Sequence, residues 1–150
     1  MGLRLVPLDA ERRAEALGLI GDATRPAELL ERAATAPHEA RGVAAVDDGG
    51  ALVGFTVHGD VAGAVATGVL LWVTVRPEAR RRGVGRALVK RAIDDLRAGG
   101  ARLVVAELPG SAQHAAAVGL LAACGFRGEG EVADFYRDGV PLLLFGYRLA

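Results

Sequence analysis

The stretch "VRPEARRRGVGRAL" (residues 75–88) decides how the rest of the chain is read. Arg76, Arg80, Arg81, Arg82 and Arg86 crowd this segment, and Gly83 and Gly85 interrupt them. Behind it, "TGVLLWVTV" (67–75) is apolar on both faces, the pattern of a strand covered from both sides, and Pro77 stops it. Ahead of it, Leu88, Ala92 and Leu96 recur at spacing four with Val89 and Ile93 beside them, which predicts an amphipathic helix over 85–100. Strand, glycine-bearing loop and helix start together make an anion site. The first turn of a helix has backbone N–H groups without partners, and the helix dipole adds partial positive charge there. A phosphate answers both. Glycines let a ligand approach the main chain, and arginines at the rim add charge-assisted hydrogen bonds. The stretch therefore predicts a phosphate- or pyrophosphate-bearing ligand gripped at about residues 81–86. A solvated basic turn is the other reading that spacing alone leaves open. The glycine spacing of a dinucleotide fingerprint is absent, as is the Gly-Lys-Ser/Thr of a P-loop.

The positive charge is local. Over 150 residues, 18 Lys and Arg balance 18 Asp and Glu, so a general nucleic-acid binder is not expected. Hydrophobic residues make up 51%, enough for one folded domain with a real core. The apolar uncharged run at residues 61–75 is shorter than the roughly 18 residues of a membrane span. Cys124 is the lone cysteine, so no internal disulfide is possible, and no metal-ligand spacing occurs. A cytoplasmic protein without a metal is expected.

Outward from the central stretch, "LRLVPL" (3–8) reads as a first strand, and residues 9–36 as two short helices. Asp9 and Thr24 stand where their N-caps belong. Residues 41–60 read as a hairpin turning at Asp47-Asp48-Gly49-Gly50, and "EVADFYRDGVPLLLFGYRL" (131–149) as another turning at Asp138-Gly139. Between them "ARLVVAEL" (101–108) reads as a strand. "SAQHAAAVGLLAACGF" (111–126) reads as a helix of small residues with Ser111 as its cap and Gly125 as its stop. The expected fold is α/β, a mixed sheet of about seven strands flanked by about four helices. The apolar terminal strand permits a homodimer.

"RRRGVG" (80–85) resembles the Arg/Gln-x-x-Gly-x-Gly/Ala signature of the GNAT acetyltransferase superfamily. Its setting is similar too: a strand ending "VTVRP", then the loop, then a helix, with a second helix closing on Gly125-Phe126. The order of elements over nearly the whole chain resembles the GNAT fold. The resemblance implies acetyl-CoA as co-substrate. Its pyrophosphate would lie on the loop Arg80, Arg81, Arg82, Gly83, Val84, Gly85 and Arg86. Its pantetheine would pair with the backbone of Val73, Thr74 and Val75. Strand 102–108 would splay away to admit it, and an N–H near Val73 would polarise the thioester carbonyl.

The resemblance also exposes two departures. The family's frequent tyrosine, an acid for the departing thiolate, is replaced here by Leu121. Its frequent asparagine is matched by His114, which would contact the coenzyme or face solvent. Glu107, at the end of the strand beside the expected cleft, is the base candidate for deprotonating an amine. Asp134 and Tyr136 stand two apart and should share a strand face. Asp134 would line an amine pocket, and Tyr136 would do so or act as the acid. "DFY" followed by "RDG" is similar to a pattern in GNAT members that act on small molecules. Trp72 reads as core or as a substrate platform. The expected reaction is direct acetyl transfer to the amine of a small molecule. A CoA-binding sensor with little catalysis stays open, supported by Leu121, as does a nucleic-acid module built on the arginine run.

Overall fold

Seven strands form one sheet in the order β1-β2-β3-β4-β5-β7-β6. The computed structural model describes residues 2–149. The strands are β1 (Leu3–Pro7), β2 (Arg41–Asp47), β3 (Leu52–Asp60), β4 (Thr67–Val75), β5 (Leu103–Pro109), β6 (Arg127–Arg137) and β7 (Val140–Arg148). The helices are α1 (Ala10–Ile20), α2 (Thr24–Thr35), α3 (Val84–Ala98) and α4 (Ala115–Ala123). Neighbours in the sheet run antiparallel except β4 and β5, which α3 connects as a parallel pair. Among the described residues the chain forms the expected mixed sheet of seven strands, with four α-helices.

Alternating side chains divide the core between the two faces of the sheet. On one face Leu29 and Leu30 of α2 and Ala16 of α1 pack with Phe55 and Val57 of β3. On the other, Val89, Ala92, Ile93 and Leu96 of α3 pack with Val104 and Ala106 of β5 and Leu121 of α4. The spacing-four stripe of α3 is thus the buried stripe, and each of its Leu, Ile and Val side chains contributes roughly 1.5–3 kcal/mol by leaving water.

Local signals explain most boundaries. Asp9 caps α1, its carboxylate accepting from the Arg12 N–H at 3.0 Å. The Asp47 carboxylate accepts from the N–H groups of Gly49 and Ala51, each at 3.0 Å, which builds the β2–β3 turn. Thr24 does not cap α2. Ala23 holds that position without a side-chain bond, and Thr24 is the first helical residue, with Pro26 inside the first turn where its missing N–H costs nothing. Ser111 does not cap a helix either, because its hydroxyl lies 2.7 Å from His114 Nδ1. The apolar terminal strand is not an edge. β7 sits between β5 and β6, and the edge on that side is β6, exposed along its whole length.

Two polar side chains are buried in β3. Thr56 donates to the Trp72 carbonyl at 2.7 Å. Neither ring nitrogen of His58 finds a hydrogen-bond partner among the described residues. The Asp95 carboxylate stands 3.7 Å from His58 Nε2.

Candidate active site

The parallel pairing of β4 with β5 is short. It runs from Thr67 opposite Leu103 to Leu70 opposite Ala106 and then stops, although both strands continue. The cause lies in β4. Opposite β3, Val57 pairs with Trp72 and His58 with Leu70, so Leu71 is an extra residue. Such a bulge bends its strand and increases the local twist. Its mark is visible in the packing: Leu71 and Trp72, though consecutive, both face the α1–α2 side. Beyond the bulge β4 turns from β5, and β5 continues paired only with β7.

The gap is a cleft of about 750 Å³ that is lined mainly by apolar side chains. It reaches both faces of the sheet. Ala117, Leu120 and Leu121 of α4, with His114, line it on one side. Trp72 of β4, Arg25 of α2 and Tyr136 of β6 line it on the other. On β5, Val104, Ala106 and Leu108 pack on the α3–α4 side, so alternation turns Glu107 toward the α1–α2 side, with Arg25.

The arginine-glycine loop closes one end of β4. Gly83 stands at the N-cap of α3 with φ 80° and ψ 8°, the left-handed region where glycine carries no Cβ penalty. No side chain caps α3 there, so its first-turn amides receive no side-chain acceptor. A Cβ on Gly83 would meet no atom within 4 Å, so the approach to the loop is open. Gly85 serves differently: a Cβ there would lie 3.1 Å from a Leu120 methyl, so this glycine lets α3 and α4 pack closely. Three arginines of the run each donate to a main-chain carbonyl. Arg76 reaches Leu52 at 2.5 Å, Arg80 reaches Val75 at 3.2 Å and Arg86 reaches Ala123, at the end of α4, at 3.4 Å. Each guanidinium has five N–H donors, so these bonds shape the loop and leave donors for an anion. Arg81 has φ 64°, a left-handed backbone at a non-glycine residue beside the proposed anion position. The features a diphosphate needs are present: an uncapped helix start, an open left-handed glycine and several cations.

The sequence-derived candidates separate into two groups. Trp72, Val73, Glu107, His114 and Tyr136 all line the cleft. Thr74 lies further along β4, its hydroxyl accepting from the Trp72 indole N–H at 2.6 Å. Asp134 is not among the lining residues. Its φ is 56°, and its carboxylate accepts from the Gly139 N–H at 2.7 Å, which ties the β6–β7 hairpin. The expectation that Asp134 and Tyr136 share a regular strand face fails for a local reason. Pairing jumps from Val132–Leu142 to Arg137–Val140, so residues 133–136 form a wide bulge. That bulge carries Tyr136 to the cleft. Leu121 is buried in the α3–α4 core and brings no proton donor.

Partial desolvation against the cleft wall, and after it the Glu107 carboxylate, raise the half-exposed Tyr136 phenol above the ordinary tyrosine value, against a weaker opposing effect of Arg25. The hydroxyl therefore keeps its proton at neutral pH. Arg25 is the lining residue that the sequence reading missed. Its signal is faint: a cation in the first turn of α2, a turn without an acidic residue, where the helix dipole disfavours positive charge. Among the described residues no group of three or more His, Cys, Asp or Glu side chains could hold a metal ion. No helix among them is long and apolar enough to cross a membrane.

Known structures share this architecture. A GNAT-family protein from Desulfovibrio desulfuricans superposes with TM-score 0.89 over 99% of this chain and 100% of its own, at 23% identity. The Salmonella typhimurium protein yncA, solved with its cofactor acetyl-CoA, does so with TM-score 0.79 over 100% of this chain and 95% of its own, at 19% identity. The ribosomal-protein-S18-alanine N-acetyltransferase of Escherichia coli gives TM-score 0.78 over 99% and 95%, at 18% identity. No curated protein matches the sequence. The family model described as "Acetyltransferase (GNAT) family" matches residues 10–126, most of the chain. The protein belongs to the GNAT acetyltransferase family.

Proposed function

We propose that the protein transfers the acetyl group of acetyl-CoA directly to the amine of a small molecule. The observation that carries this reading is the parting of β4 from β5 after Leu70 and Ala106, which opens a cleft from the α3–α4 side to the α1–α2 side. The coenzyme belongs on the α3–α4 side. The diphosphate would be held by amides of residues 81–86 with Arg80, Arg81, Arg82 and Arg86 at the rim, and the pantetheine by the free edge of β4 at Val73, Thr74 and Val75. His114, at the start of α4, lines that side and would meet the coenzyme. The acceptor belongs on the other side, against Trp72, Glu107 and Tyr136.

Acetyl-CoA supplies the thioester: the amine nitrogen bonds to its carbonyl carbon, and the carbon–sulfur bond breaks. Glu107 takes the proton the amine loses. Tyr136 keeps its proton and gives it to the departing sulfur, in place of the acid that Leu121 cannot supply. The Glu107 carboxylate is among the groups that raise the Tyr136 phenol, so the two are electrostatic neighbours. No hydrogen bond joins the two among the described residues, so the proton gathered by Glu107 would return to the tyrosine through solvent, which balances the cycle. An N–H near Val73 would polarise the carbonyl. The cleft must take the pantetheine as well as the acceptor, which favours a small acceptor over a folded protein.

Two measurements test the reading. Calorimetry should show acetyl-CoA binding that Gly83→Val weakens, and a thiol-release assay should show turnover with a panel of primary amines. Binding without thiol release from any amine would replace transfer with a sensor role. No binding at all would remove both.

A further inference from the structure

Two charged side chains at the cleft are uncommitted. Arg25 and Glu107 both line it, and neither makes an ion pair or hydrogen bond with another described residue. Several charged groups elsewhere on the sheet are engaged. Arg41 pairs with Asp60, Arg148 with Glu129, and Asp134 with the Gly139 N–H. Arg25 and Glu107 are not within ion-pair distance of each other, yet both act on the Tyr136 hydroxyl, one lowering and the other raising its pKa. A cation and a carboxylate thus flank one point on the acceptor side, between apolar walls that include Leu71 and Trp72. Unpaired charges beside an apolar surface are costly to cover unless the ligand brings complementary charge.

We infer that the acceptor is a zwitterion, a free amino acid with an apolar side chain, whose carboxylate is bound by Arg25 while its amine is presented to Glu107. This rests on the transfer reading of the same cleft. A guanidinium matches a carboxylate with two parallel hydrogen bonds, which makes Arg25 a selector for acceptors that carry one. A phosphate dianion would need further cations, and among the described residues that line this side of the cleft Arg25 is the one cation. A peptide N-terminus brings the amine but leaves Arg25 unmatched, because its carboxylate is remote. Apolar amino acids satisfy both charges and the walls.

The test is a steady-state transfer assay with acetyl-CoA and four acceptor sets: leucine, phenylalanine and methionine; their primary amides; phosphoethanolamine; and an alanine-started hexapeptide. The free acids should exceed their amides in kcat/KM by at least about tenfold. Arg25→Gln should erase that ratio chiefly by raising KM for the acids, while KM for the amides stays the same. Arg25→Lys should keep part of the preference as a point charge. Arg25 is exposed, so these variants keep the fold, which an unchanged Tm confirms. Amides, phosphoethanolamine or peptide accepted as well as the acids, or a ratio untouched by Arg25→Gln, overturns the zwitterion while leaving acetyl transfer standing. No thiol release from any set removes the transfer reading, and the zwitterion with it.

Discussion

Glu107 on β5 and Tyr136 on β6 are separated in the sheet by β7, yet both line one cleft. Partial desolvation and the Glu107 carboxylate together hold the phenol above its ordinary pKa. The relationship exists because the bulge over residues 133–136 breaks the β6–β7 ladder and brings Tyr136 to the cleft. Glu107→Gln should lower kcat by about 100-fold or more, the usual contribution of a positioned base. Acetyl-CoA affinity should not change, since Glu107 lies on the opposite side from the diphosphate loop. Tyr136→Phe should show a similar loss. A variant that retains wild-type kcat excludes the residue from proton transfer.

The two glycines of the loop should fail in different ways. Gly83 is left-handed with open space around it, so Gly83→Val strains the backbone by about 1–3 kcal/mol and crowds the diphosphate position. Its main effect should be weaker coenzyme binding in calorimetry. Gly85 packs against Leu120, so Gly85→Val should push α4 from α3 and lower Tm even without coenzyme. Equal effects of both variants on coenzyme affinity and Tm would contradict this division.

Leu121 is buried among Val89, Ala92 and Phe126. Leu121→Tyr adds bulk and a hydroxyl to a packed site and should cost about 1–3 kcal/mol. If Tyr136 supplies the proton to sulfur, the substitution should not raise kcat in the wild-type background. In the Tyr136→Phe background it should restore part of the lost rate. A rise of kcat in the wild-type background would show that the thiolate lacks an acid.

His58 makes stability depend on pH. Burial and then the Arg41 guanidinium lower its pKa from 6.5 to about 4, outweighing the Asp95 and Asp60 carboxylates. Between those values the unfolded chain binds a proton that the folded chain does not. Stability is therefore full above pH 6.5 and falls as pH drops toward about 4, by on the order of 3 kcal/mol in total. Chemical denaturation at pH 7 and pH 4.5 measures the slope. His58→Leu removes both unpartnered ring nitrogens at similar volume, so it should flatten the slope without loss at pH 7. An unchanged slope would assign the acid sensitivity to other groups.

The arginine-glycine loop and the elements around it were legible because their causes are local. The apolar run 67–75, the stop at Pro77 and the spacing-four stripe of α3 are short-range patterns, and the structure turns each into the expected element. Gly83 in the left-handed region is local too, since the backbone angle belongs to one residue. The same holds for the Asp9 cap and the Asp47 turn. Where local signals compete, reading from sequence gave the wrong partner. Ser111 and Thr24 both suit N-caps, but His114 takes the Ser111 hydroxyl and α2 begins one residue early.

What the linear order of residues determined by itself is the set of elements and the glycine-bearing, uncapped start of α3, since periodicity and helix-end chemistry act within a few residues. What only the tertiary structure decided is the far side of the cleft. Arg25, Glu107 and Tyr136 meet there from α2, β5 and β6 because one extra residue at Leu71 parts β4 from β5 and a second bulge brings in Tyr136. A bulge is a mismatch between two paired strands, and it exists only once both strands have found their register.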